Sequence, residues 1–185
     1  MFEVSSDGSS FTNLVTATSY PTQPPIDTAL ALRNLGEIVE EDMFLLKPTS
    51  AGHRLVAYVC CFPSGFDPSE KLGKLLKDIH GPVPGYEKIG PSMERFFCKL
   101  EAGKPVKRTN TFLRCELQTL SRLARSQNIL FNFKTYQYNI ADIKAEGRGN
   151  EFADAIEGLK KGNVPDMWKY KGAPKWAVDV CKYLR

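Results

Sequence analysis

The residue of this chain best placed to do chemistry is the histidine of Ile79-His80-Gly81-Pro82-Val83-Pro84-Gly85, one of only two histidines present. Each proline fixes its φ at about −65° and lacks a backbone donor, so the segment is a stiffened corner rather than a free loop. An imidazole held there is positioned before any ligand arrives, which suits a metal or a haem iron. The plain alternative is a packed, hydrogen-bonded histidine. The second histidine, His53, follows Gly52 in a turn and is expected to be exposed. Five cysteines (Cys60, Cys61, Cys98, Cys115 and Cys181) form no C-x-x-C pair and leave an odd thiol. Reduced thiols explain them more simply than a disulfide framework. Cys60 and Cys61, adjacent on a strand, point to opposite faces and cannot jointly clamp a metal.

These groups sit in ordinary globular material of 185 residues, 42% hydrophobic and 25% charged, enough for one domain with a real core. The formal charge of +4 is unevenly spread: 7 basic and 11 acidic residues up to Ser92, against 18 and 10 from Met93 onward. A basic half could steer an acidic protein partner or an anionic cofactor. Its lysines and arginines are dispersed among hydrophobic positions, which argues against nucleic acid. The start, Met1-Phe2-Glu3-Val4-Ser5, has neither a basic n-region nor an apolar h-region, and no apolar run is long enough to span a bilayer. A cytoplasmic protein is expected.

The elements that must position His80 read as follows. Residues 1–25, rich in Ser, Thr and Pro, look like a loosely ordered arm, leaving residues 26–185 as the folded domain. A helix starts at Asp27 or Thr28 and runs through Leu32, Leu35 and Val39. Met43-Phe44-Leu45-Leu46 and Leu55 to Phe62 make a hairpin about a turn at 48–52. Asp67 caps a helix with Pro68 at its first position and Glu70 completing a capping box; Leu72, Leu75, Leu76 and Ile79 form its apolar face. His80, four residues beyond Leu76, falls at the edge of that face and points inward. A further helix follows Pro91-Ser92, with Met93, Phe96, Phe97 and Leu100 as its stripe. Two strands come next, roughly 111–120 and 129–138. In the first, Leu113, Cys115 and Leu117 face one way and Arg114, Glu116 and Gln118 the other; in the second, Ile129, Phe131 and Phe133 share a face. Asn150 caps a helix through Phe152, Ala155, Ile156 and Leu159, and Pro174 opens the last one. The order predicts an α+β fold with an antiparallel sheet.

The chain also carries, in order, Glu41-Asp42-Met43-Phe44-Leu45-Leu46, Phe62-Pro63-Ser64-Gly65-Phe66, Lys71-Leu72-Gly73, the His80 segment, Arg114-Cys115-Glu116-Leu117-Gln118-Thr119-Leu120 and Tyr170-Lys171-Gly172. Together these resemble the haem-binding α-subunit family of the haem-dependent oxidative N-demethylases, especially its fungal-type members, from about Asp27 to Leu184. The resemblance implies a PAS-like fold: an antiparallel β-sheet with helices packed on one face, enclosing haem b. It implies a monooxygenase-type oxidation of a small secondary amine such as dimethylamine by dioxygen. Electrons would come from NADPH through FMN and 2Fe-2S groups on a separate reductase partner. No GxGxxG loop or iron–sulfur cysteine cluster is present here, in keeping with a separate reductase.

Carried onto this sequence, the resemblance makes His80 the proximal iron ligand, flanked by Pro82 and Pro84. Cys98 or Cys115 would be the competing thiolate. Leu76, Ile79, Phe96, Phe97, Phe131 and Phe133 would wall the haem. Arg114 would meet a haem propionate or an internal salt bridge. Glu116 would hold an ammonium substrate or simply pair with Arg114.

The chain departs from the family after Asn110. Members continue there into a tryptophan, the rest of a strand and a polar excursion, whereas Asn110 here runs straight into Thr111-Phe112-Leu113. This implies a truncated central strand, with two strands joined into one. A non-catalytic haem sensor and a haem-free degenerate paralogue therefore stand beside the enzyme as readings.

Overall fold

The computed structural model of the chain describes residues 1–63, 66–110 and 114–185, with backbone alone at 108–110. At the start, β1 (Phe2–Val4), β2 (Ser10–Asn13) and β3 (Thr18–Pro21) pair antiparallel into a small meander. This corrects the loosely ordered arm expected for residues 1–25. The Ser and Thr content reads as disorder, yet Phe2, Phe11 and Tyr20 meet across the strands, with Phe11 and Tyr20 stacked at 5.7 Å. Asp7 closes the first turn on the hydroxyls of Ser5 and Ser9. The Ser5 hydrogen bond, then those from Ser9, hold its carboxyl down at about 2. Asn13 donates to the Ile38 carbonyl at 3.2 Å and ties the meander to α1 (Thr28–Ile38), which Asp27 caps as expected.

The main sheet is built from β4 (Asp42–Thr49) and β5 (Gly52–Val59), then β6 (Val106–Asn110), β7 (Arg114–Arg122) and β8 (Ile129–Gln137). All neighbours are antiparallel and the spatial order is β5-β4-β8-β7-β6. Counted within the sheet this is 2-1-5-4-3, the PAS-like order. Phe44, Leu46, Leu55, Leu120, Ile129 and Phe133 line one face; Leu76, Phe97 and Leu100 cover it.

Two readings of the sequence are corrected here. The runs on either side of residues 111–113 are not one strand: β6 folds back along β7, with Asn110 opposite Glu116 and Val106 opposite Leu120. The short strand is thus β6, at the sheet's edge rather than its centre, so the central ladder is complete. The expected alternation at Leu113 lies outside the described residues, as do Ser64 and Gly65.

The helix expected to run from Pro68 to Ile79 is also broken. A 3-10 turn over Pro68–Lys71, capped by Asp67, is followed by Gly73 at φ +78°, and α2 covers only Leu76–Ile79. Between them the chain pairs with β5: Gly73 N–H donates to the Leu55 carbonyl at 2.8 Å, and Leu55 N–H to the Lys74 carbonyl at 3.0 Å. Leu72 is left exposed. The next helix, α3 (Tyr86–Lys99), starts ahead of Pro91 and runs through it; Gly85, left-handed at φ +75°, marks its true start.

The C-terminal helices form a second core. α4 (Ile140–Ala145), α5 (Gly149–Gly158), α6 (Met167–Tyr170) and α7 (Ala177–Leu184) gather round Ala153, Ile156, Ala173, Ala177, Cys181 and Leu184. The N-cap of α5 is Arg148, and Asn150 lies inside the helix. Gly149 abuts the end of α7: a Cβ there would lie 2.3 Å from the Leu184 carbonyl oxygen.

Candidate functional site

Between the sheet face and the α2–α3 corner lies a cavity of about 510 Å³, within the range usual for small-molecule sites. His80 closes α2 as its C-cap, with its amide bonded to the Leu76 carbonyl. Its ring Nδ1 also lies 2.9 Å from that carbonyl oxygen. A carbonyl only accepts, so Nδ1 carries the proton and the lone pair of the neutral ring is on Nε2. The ring stacks on Tyr86 at 4.8 Å with 7° between planes. Tyr86 lies flat because residue 90 is glycine; a Cβ there would come within 2.8 Å of Tyr86 Cε1.

Nine of the residues expected at the site line this cavity. They are His80, Pro82, Leu76, Ile79 and Phe97 on one side, and Arg114, Glu116, Phe131 and Phe133 on the sheet. Phe44 stacks on Phe133 at 5.7 Å and makes the floor aromatic. Pro84 is not in the lining. Phe96 is 39% exposed, because neighbours on a helix point about 100° apart and Phe97 takes the inward place. The thiolate alternatives fall away: Cys98 is exposed and Cys115 alternates to the opposite face from Arg114 and Glu116, so neither lines the cavity. Burial, then the charge of Asp42, pushes the Cys60 thiol up to about 12, so it is no thiolate either.

Lys71, Gln118 and Tyr170 also line the cavity and were missed. Each had a signal. Lys71 and Tyr170 stand in the short motifs that carried the resemblance, and Gln118 follows Glu116 by strand alternation. At the polar end Arg114 Nη2 meets Glu116 Oε1 at 2.7 Å, and Gln118 Nε2 donates to Glu116 Oε2 at 2.8 Å. The guanidinium lies over the Phe133 ring at 5.9 Å. Its Nε is buried without a hydrogen-bond partner among the described residues.

His53 contradicts the expectation of an exposed turn residue: it is 1% exposed. Its Nδ1 is 2.5 Å from Glu94 Oε2, and its own amide donates to the same carboxylate at 3.1 Å. Gly52, at φ +114°, leaves the space in which that carboxylate sits: a Cβ would lie 2.9 Å from Glu94 Oε1. His53 does not line the main cavity.

Among the described residues no three His, Cys, Asp or Glu side chains converge on one point. The single imidazole of the cavity, His80, would be the residue to hold a haem iron, the porphyrin supplying the other donors. The aromatic walls suit that group's apolar face, and Arg114 in the lining suits one of its carboxylates. Among the described residues no helix is long and apolar enough to cross a membrane.

Comparison with known proteins finds a family match. A family model described as "Haem-dependent oxidative N-demethylase, alpha subunit-like" matches residues 1–112 and 109–181. The two matched stretches meet at 109–112, where the chain is expected to lack the family's polar excursion. No curated protein matches the sequence. Among solved structures, that of the RsLOV d2 variant is similar at 13% identity, covering 86% of this chain and 92% of that one with a TM-score of 0.41. An RNA-binding Light-Oxygen-Voltage receptor is similar at 14% identity, over 77% of this chain and 41% of that one, with a TM-score of 0.38.

Proposed function

The chain belongs to the haem-dependent oxidative N-demethylase, alpha subunit-like family, and on that premise we propose that its cavity holds haem b against His80. The protein is then the haem-bearing subunit of a system that oxidatively demethylates a small secondary amine of the dimethylamine type. The observation that carries this reading is the His80 ring at the wall of an aromatic cavity, with its Nδ1 proton committed to the Leu76 carbonyl.

Haem, when bound, supplies the dioxygen chemistry that oxidises an N-methyl group, with electrons drawn from NADPH through the FMN and 2Fe-2S groups of a separate reductase. This chain's own residues do the rest. The Leu76 carbonyl holds the Nδ1 proton and makes Nε2 a stronger donor. Tyr86 fixes the plane of the ring. Phe44, Phe131 and Phe133 exclude water, which strengthens every polar contact inside. Arg114 and Glu116 give the cavity one oriented polar end.

Titrating the full chain with haem should produce a Soret band that is lost in His80→Ala and recovered when free imidazole is added. No band in the wild type, or an unchanged band in the variant, would overturn the reading. Haem binding without formaldehyde release from dimethylamine, dioxygen and a reductant would favour a haem-binding module over an enzyme.

A further inference from the structure

Resting on the reading above only for the use made of His80, we infer that Glu94 and His53 form a clamp that fixes the rotation of α3 and so positions His80 from a distance. One face of α3 is turned inward, carrying Tyr86, Gly90, Met93, Glu94 and Phe97 at helical spacing; every other residue of the helix is exposed. Glu94 is the one charged residue on that face. Its carboxylate accepts the His53 amide at 3.1 and 3.2 Å and lies 2.5 Å from the ring Nδ1. Backbone and side chain at the start of β5 are thus both fastened to one carboxylate of α3. The buried His53 ring also stands edge-on to Phe97 at 5.4 Å, one turn further along the same face.

The other end of that face carries Tyr86, on which the His80 ring is stacked. The Tyr86 ring lies over Gly90, where a Cβ would come within 2.8 Å of Cε1 and 3.1 Å of Cζ. Burial first, then the charge of Glu94, raises the Tyr86 hydroxyl above its usual range, so the carboxylate is near enough to be felt there. Pro91 falls between the two anchors and deletes the amide bond that would join their turns. The helix is weakest at Gly90-Pro91, and its far half takes its rotation from the clamp. Side-chain tips lie roughly 5 to 6 Å from a helix axis, so a rotation of about 10° moves them by about 1 Å. A functional constellation tolerates only about 0.5 Å. Releasing Glu94 would move Gly90 beneath the Tyr86 ring and tilt the imidazole stacked on it. His53 and Glu94 are then positioning residues, acting through Tyr86.

The chain holds only two histidines, so the test reads their rings directly. In the full chain without haem, ring-labelled histidine gives two sets of NMR signals, and His53→Gln assigns them. The wild-type His80 set should be displaced by the ring current of Tyr86. In Glu94→Gln and in His53→Gln it should move toward the position of free histidine. Glu94→Asp, which keeps the charge but holds it one methylene short, should move it less. Gly149→Ala, a change in the C-terminal core, should lower the melting temperature without moving it. With haem added, Glu94→Gln should bind roughly tenfold more weakly, the scale for a group standing behind a ligand, against outright loss in His80→Ala.

Moved His80 signals with no Soret band in any form of the chain would remove the haem proposal and keep this one. Unmoved signals in Glu94→Gln and His53→Gln, or movement of the same size in Gly149→Ala, would overturn it and leave haem binding intact. Moved signals with undiminished haem affinity would overturn it as well, since the imidazole would then reach the iron without the clamp.

Discussion

Among the described residues, three buried side-chain atoms around the five-stranded sheet, His53 Nε2, Tyr86 Oη and Arg114 Nε, have no hydrogen-bond partner, whereas the C-terminal helical cluster has no such atom. The helical cluster closes on itself. Arg185 reaches back from the end of α7 to Asp154 at 2.8 Å and to Glu157 at 3.1 Å, and Cys181 Sγ lies 3.8 Å from the Ala153 carbonyl oxygen. Buried polar atoms are rarely left unsatisfied, because each forfeits its bonds to water. Of the three residues Arg114 lines the main cavity, Tyr86 stacks on the cavity's His80, and His53 stands apart on Glu94, so the half that holds the cavity carries unmet polar groups while the helical half, among the described residues, does not.

That contrast can be broken by substitution. The largest expected effect is Ile129→Ala, since Ile129 is fully buried and central to the sheet core. It should cost about 2–5 kcal/mol in denaturant unfolding, while Phe131→Leu at the cavity wall should cost less because open space already lies on one side. Equal losses would mean the cavity is as tightly packed as the rest. Next comes Gly149→Ala, which drives a Cβ into the Leu184 carbonyl and should cost about 1–3 kcal/mol as overpacking. If the two cores are separable, thermal melts should shift while ligand binding in the cavity is kept. Binding lost in step with stability would show them to be one unit.

The smallest effect is in pH. The hydrogen bond from Arg185, then its charge, holds the Glu157 carboxyl below its usual range. A depressed carboxyl stabilises the fold above its unfolded value and loses that contribution as the pH falls through the folded one. Cys60 works in the other direction: raised to about 12, its thiol contributes fully below the ordinary 9.0 and less as the pH climbs from there. Melting temperature should therefore fall slightly at the acid end in a way that Glu157→Gln flattens, and at the alkaline end in a way that Cys60→Ala flattens. Matching profiles in variants and wild type would refute the assignment.

Much of the sheet half was legible. The strand at Met43–Leu46, the Ile129–Phe133 stripe, the Asp27 cap and the Pro-flanked corner of His80 are local patterns, and local patterns survive folding. What escaped depended on distant chain. The meander at residues 2–21 needs aromatic pairs between three separate strands. His53 is buried only because Glu94, 41 positions away, supplies a partner for its ring and its amide. The helix through Leu72 fails because Gly73 can leave the helical region and β5 offers backbone partners in exchange. At the site, strand alternation named Arg114 and Glu116, but nothing local distinguished Phe96 from Phe97.

The exchange at Gly73 has a mechanical side. The residues just before α2 are stitched to the rim of the sheet at Leu55, so the stretch from Lys71 to His80 hangs from β5 as a hem hangs from cloth. A residue with a side chain at 73 would resist the left-handed turn and slacken that seam, and the imidazole would lose its fixed height above the aromatic floor without any change to the histidine itself.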